Sequence, residues 1–176
     1  MLHAAGFLAI EESGFDWVDM ETKAELLERL SQAVEELVVV CRQLPDPESA
    51  VYDGWTAKDV LGHVTFWHES FARNLDDLVH DRQPNPLRGK LGDLNQRGVE
   101  ELRTCSLEKV IGRLLAAQRS VATNILSPKL IRIPYRKGSH DYTPEEHLTV
   151  TANHIQGHLT AIQRQGRKKG TSVKRA

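Results

Sequence analysis

The sequence predicts an all-α protein, a four-helix bundle. Three observations lead there. Apolar residues recur at three-and-four spacing through four long stretches. Several of those stretches open on helix-capping sequences. Between them no run alternates strongly enough to make a strand. At 176 residues the chain has room for a single domain with one core.

Taken in order, residues 1–19 precede the clean helical pattern and are expected to form a poorly ordered N-terminal arm. Their short apolar start lacks a basic n-region and runs into acidic sequence rather than a cleavage site, unlike a secretory signal. No run approaches the roughly 18–20 apolar residues of a membrane span. The expected location is cytoplasmic. The first helix opens at Thr22, three residues before Glu25, and carries Leu26, Leu30, Val34, Leu37 and Cys41 on one face. Leu44-Pro45-Asp46-Pro47 ends it, and a turn-rich loop leads to Gly54. Thr56 and Asp59 repeat the capping arrangement at the second helix, which should reach about His80 with Val60, Val64, Trp67, Phe71 and Leu75 inward.

Residues 81–105 are the least regular part, with a short helical piece expected at Val99–Arg103. This connection is too long for a tight turn, so it either crosses the bundle or covers a site at one end. A third helix starts near Ser106, carries Val110, Ile111, Leu114 and Val121, and stops before Ser127-Pro128. An irregular connection follows. Thr143-Pro144-Glu145-Glu146 is the strongest helix start in the chain, and the last helix should run to about Gln165, closing a bundle over residues 20–165. The basic remainder, residues 166–176, is expected to be a solvated, disordered tail.

Composition removes several functions. Lys+Arg 23 against Asp+Glu 24 leaves a net charge of -1, so nothing draws the whole protein to nucleic acid or to an anionic membrane. Cys41 and Cys105 form no CxxC pair, which excludes a zinc ribbon or disulfide framework and leaves two reduced, half-buried thiols. There is no GxSxG, no Gly-rich phosphate loop and no inward carboxylate pair. Serine hydrolases, nucleotide enzymes and glycosidases are disfavoured.

The chain has eight histidines, and helical projection sorts them. On the last helix His147, His154 and His158 fall on or beside the buried side. On the second helix His63 lies between Val60 and Trp67 with Ser70 on its flank, whereas His68 turns outward with Thr65 and Glu69. His154 and His158 stand one turn apart, the spacing at which two imidazoles share a metal ion. An inward His63 supplies a third ligand. A lone inward histidine is more often a satisfied core residue, so hydrogen bonding across the bundle is the plain alternative. His147 lies two turns, roughly 10 Å, before His154 and belongs to the pocket wall instead. Three neutral nitrogens leave a divalent ion its full charge and an open position, where it acidifies water, holds a thiolate or polarises a carbonyl. Trp67 is the expected apolar wall, with Ser70 and Thr151 in the same substrate pocket. Tyr142 is placed at its mouth as a proton or hydrogen-bond donor. His147 is a further acid/base candidate, ahead of Glu146, which projects outward.

These residues carry a resemblance. Trp55-Thr56-Ala57-Lys58-Asp59-Val60-Leu61-Gly62-His63 and His154-Ile155-Gln156-Gly157-His158 resemble the two signature segments of the DinB-like superfamily. The resemblance implies an up-down-down-up four-helix bundle with a long crossover between helices two and three. It implies nickel or zinc on residues matching His63, His154 and His158. For some relatives it implies a low-molecular-weight thiol cosubstrate such as bacillithiol, mycothiol or glutathione, and it implies a homodimer. Residues 65–71 and 142–147 also resemble the branch that contains the colibactin self-resistance cyclopropane hydrolase. The expectation is therefore a metal-dependent hydrolase or thiol transferase acting on a small electrophilic molecule, in detoxification or self-resistance. The alternative is a non-catalytic bundle that sequesters a small molecule or serves a stress response.

Overall fold

A computed structural model describes residues 21–52 and 54–173, with side chains up to residue 166. The expected arm, 1–19, lies outside the described residues. Among the described residues, five helices and a small hairpin follow one another: α1 (Lys23–Gln43), β1 (Ala50–Tyr52), β2 (Trp55–Thr56), α2 (Ala57–Val79), α3 (Leu91–Arg103), α4 (Leu107–Asn124) and α5 (Pro144–Val173). The long helices α1, α2, α4 and α5 form a four-helix bundle, with α1 against α5, α2 against α4, and α3 laid on α2. No described helix is long and apolar enough to cross a membrane.

Local chemistry fixes where the helices begin. Thr22 Oγ1 accepts from the Glu25 amide while the Glu25 carboxylate accepts from the Thr22 amide. Thr56 and Asp59 do the same for α2, and Thr143 and Glu146 for α5. Each reciprocal pair satisfies amides that the first helical turn leaves without partners. The core then forms from the predicted stripes: Leu30, Val34, Leu37, Val60, Leu75, Val110, Leu114, Val121 and Ile155 are all fully buried.

Four features depart from the expectations. The loop after α1 contains a hairpin whose turn passes through Gly54 at φ +76°, a conformation glycine adopts without strain. The expected helical piece at Val99–Arg103 is the end of a longer helix, α3. Gly98, which reads as a breaker, marks the closest approach of α3 to α2, since a Cβ there would stand 2.8 Å from the Phe66 ring. Gly62 on α2 faces Leu102 in the same seam. The last helix continues past Gln165 to Val173, through most of the basic segment.

The fourth departure corrects the orientation of His68 and Thr65. Neither turns outward: Thr65 is 0% and His68 1% exposed. With α3 on one side and α4 on another, α2 is buried almost all round from Ala57 to Leu75, so it has no solvent face for them. Glu69, expected beside them, is partly exposed and forms a bidentate pair with Arg113 of α4 at 2.7 Å. Cys41 is fully rather than half buried, and burial pushes its thiol up to about 12, so it stays protonated. Cys105 is half-buried.

The two irregular connections are joined to each other. Ile133 and Tyr142 exchange backbone hydrogen bonds at 2.8 and 3.0 Å, and the Lys137 amide donates to the Leu87 carbonyl at 2.8 Å. Asn74 Nδ2 donates to the Pro134 carbonyl at 2.8 Å, anchoring this layer to α2. Tyr135 and Tyr142 are thereby held beside each other and against His147.

Candidate metal centre

His63 on α2 meets His154 and His158 on α5. The Nε2 atoms of His63 and His154 lie 3.1 Å apart, and those of His158 and His154 lie 2.9 Å apart. One ring nitrogen from each residue falls within 4.8 Å of the others. His63 is buried at 3% exposed, His158 is half-buried and His154 is open to solvent, so the cluster forms a rim rather than a sealed core. All three imidazoles are held in the neutral form. Burial, then the neighbouring imidazoles, pushes His63 down to about 3. Burial and His154 push His158 down to about 4, and His154, although exposed as a whole residue, is lowered too because its ring is packed among neighbours.

The hairpin supports this cluster. Tyr52 Oη lies 3.0 Å from His158 Nδ1, and the Trp55 ring lies against His63 with centroids 5.1 Å apart. Neither aromatic was among the expected site residues. Asp53-Gly54, a hairpin-turn dipeptide flanked by Tyr52 and Trp55, is the signal that would have found them.

The donor set fits a divalent ion. Two nitrogens each at about 2.1 Å from one ion stand about 3.0 to 3.4 Å apart at the usual coordination angles, and the two Nε2 spacings are 2.9 and 3.1 Å. Neutral imidazoles are the form in which histidine ligates. Tyr52 is placed to orient the His158 ring through its other nitrogen, as outer partners of ligating histidines do. His63 Nδ1 is buried without a hydrogen-bond partner among the described residues, so none of them orients His63 on that side.

Beside the rim lies a cavity of about 240 Å³. Of the residues expected there, Trp67, Tyr142, His147 and Thr151 line it, together with His63 and His154. Trp67 donates from Nε1 to Asn95 Oδ1 at 3.0 Å and stacks on Tyr135 with centroids 4.9 Å apart. Sequence reading missed Asn95, on α3, and Tyr135, from the connection before α5. Ser70 is corrected. It does not border this cavity but a separate small void beside Asn74 and Pro134, where its hydroxyl has no partner among the described residues. One residue's difference in helical phase directs it behind Trp67.

His147 stands apart from the three-histidine cluster, as its spacing predicts. Its ring stacks on Phe71 at 3.8 Å between centroids, and its Nδ1 lies 3.2 Å from Thr151 Oγ1. Burial pushes it down to about 4. A group so hard to protonate is a weak base near neutrality. Glu146 is exposed, its carboxylate taken by the Thr143 amide at 2.7 Å.

Residues 48–127, from the hairpin through α4, match the family described as the mycothiol maleylpyruvate isomerase N-terminal domain. Among solved structures the chain is similar to YfiT from Bacillus subtilis, described as a probable metal-dependent hydrolase with an unusual four-helix bundle topology. Identity there is 16% over 94% of this chain and 95% of that one, with a TM-score of 0.67. It is similar to a mycothiol-dependent maleylpyruvate isomerase at 11% identity and TM-score 0.65, covering 81% of this chain and 61% of the other. A third similar structure is the four-helix bundle protein TT2238, at 26% identity and TM-score 0.55, covering 81% and 99%. Nothing among curated proteins matches the sequence. These likenesses agree on the four-helix bundle.

Proposed function

We propose that this protein is a divalent-metal-dependent enzyme, of hydrolase or thiol-transferase type, acting on a small electrophilic molecule. One observation carries the reading: three neutral imidazoles from two helices turn their Nε2 atoms toward one another at the edge of an aromatic cavity. His63, His154 and His158 would hold the ion, nickel or zinc being ions that imidazole suits. Such an ion supplies a Lewis acid that acidifies a water or thiol and polarises an electrophile.

The chain's own residues prepare that chemistry. Burial keeps His63 neutral, and Tyr52 orients His158. Trp67, Tyr135 and Phe71 present apolar surface that displaces water from a bound molecule. Tyr142 places a phenol at the cavity wall, as a hydrogen-bond donor to the leaving or carbonyl oxygen of a substrate. The hydrolase arm is supported by YfiT's description and by the likeness of residues 65–71 and 142–147 to the colibactin self-resistance branch. The thiol arm is supported by the match of residues 48–127 to a family named for mycothiol.

Elemental analysis of protein purified without chelator tests the metal directly. About one equivalent of nickel or zinc is expected, falling below a tenth in His63→Ala. Less than a tenth in the wild type, with no rise in melting point on adding either metal, overturns the reading. Turnover of electrophilic esters and epoxides, with and without a small thiol, then separates the two arms. Stoichiometric protection without turnover puts sequestration in place of catalysis.

A further inference from the structure

Bonds already made along the cavity wall decide what it can still offer a ligand. Trp67 Nε1 has a hydrogen to give and no lone pair to accept with, so the group 3.0 Å from it must be the Asn95 side-chain oxygen. The Asn95 nitrogen is left at the other end of the amide with two hydrogens. It has no hydrogen-bond partner among the described residues and, unlike His63 Nδ1, is not sealed from water. Leu91 and Asn95 stand one turn apart on α3, and they are the residues of that helix that border the cavity. Asn95 is half-buried and bonded to an indole that borders the cavity too, which puts its amide at the wall and not on the outer face of α3. Thr151, across from it on α5, is already engaged: its Oγ1 donates to the His147 carbonyl at 2.7 Å and lies 3.2 Å from His147 Nδ1.

From this placement we infer that Asn95 sets the substrate class of the cavity: a molecule with an apolar body of about one ring and an uncharged acceptor oxygen that takes a hydrogen bond from Asn95 Nδ2. This deepens the proposed enzyme reading and rests on it. Trp67 then has two parts. Its indole, stacked on Tyr135, meets the apolar body in a space of about 240 Å³. Its N–H occupies the Asn95 oxygen, so what remains for a ligand is the donor end of the amide. A carbonyl or epoxide oxygen replaces the water that this end otherwise binds. A ligand with only donors, or with no polar atom, loses that bond without replacing it.

Asn95→Asp isolates the donor, because a carboxylate oxygen still accepts from Trp67 while the other end turns from donor to acceptor. The probes are acetophenone and α-methylstyrene, the same shape with C=O replaced by C=CH₂, titrated into metal-stripped protein so that the carbonyl gains nothing from an ion. The ratio of their affinities is expected to shift about tenfold against acetophenone in Asn95→Asp, the loss of one hydrogen bond. In the wild type, the Asn95 side-chain amide protons should shift with acetophenone and not with α-methylstyrene, a nuclear magnetic resonance readout that needs no variant. An unchanged ratio, amide protons that respond alike to both probes, or no binding of acetophenone at millimolar concentration overturns the inference. Metal failure reads differently. Protein that never binds nickel or zinc yet shows the Asn95 dependence loses the enzyme and keeps the ligand class, whereas protein that loads metal without that dependence keeps the enzyme and loses this inference.

Discussion

Two groups of histidines occupy neighbouring parts of this molecule and are held in opposite ways. At the rim, His63, His154 and His158 have their Nε2 atoms turned toward one another. At the floor, His68 and His147 are each tied to a neutral partner, Gln118 and Thr151 respectively, and do not meet. Burial disfavours the charged form in both groups. The difference is in what satisfies the nitrogens. Floor rings are fixed by chains of hydrogen bonds that end on backbone carbonyls. The rim rings turn toward one another instead, the arrangement expected of a ligand set rather than of buried structural histidines.

The comparison breaks most sharply at the rim. His154→Ala should abolish metal binding, read as metal per chain, and should leave the metal-stripped protein folded, because residue 154 is exposed. Tyr52→Phe should weaken metal affinity about tenfold, the low end for loss of an outer-shell partner, in a competition titration with a chromophoric chelator.

The floor is tested by pH. Burial lowers both His68 and His147 to about 4 in the folded chain, against about 6.5 unfolded. The unfolded state therefore binds protons first. Stability is full above about pH 6.5 and declines as the pH falls toward 4, by on the order of 1–2 kcal/mol for each ring at pH 5. Urea unfolding of the metal-stripped protein at pH 7 and pH 5 checks the sign, and His68→Gln should make the decline shallower. The smallest effect is expected at Ser70→Ala. Removing a buried hydroxyl with no partner should leave stability within about 0.5 kcal/mol or raise it, and should leave metal content unchanged.

What could be read from the sequence was local or periodic. Thr22 with Glu25, Thr56 with Asp59 and Thr143 with Glu146 are spaced three apart, and each forms the reciprocal cap that spacing implies. His154 and His158 needed only a helix to be neighbours. His68 was misjudged because helical projection assumes one wet face, and α2 is covered by both α3 and α4. The start of α3 was missed because Gly92 and Gly98 count against a helix, although Gly98 is where Phe66 packs. Asn95 reaches the cavity from α3, and Tyr135 from a connection whose path is set by tertiary contacts such as Asn74 to Pro134. No periodicity within that connection encodes the path.

The bare backbone at Gly98 also fixes how α3 is set against the cavity. Leu91 and Asn95, on the first turns of α3, border it, while Arg103 at the far end grips the buried Asp59 carboxylate through two bonds of 3.1 Å. Translating α3 along α2 would carry Gly98 away from Phe66 and bring a side-chain-bearing neighbour into a gap that has no room for one. Sliding is thus blocked, and the close approach at Gly98 keeps Leu91 and Asn95 in register with the cavity they border.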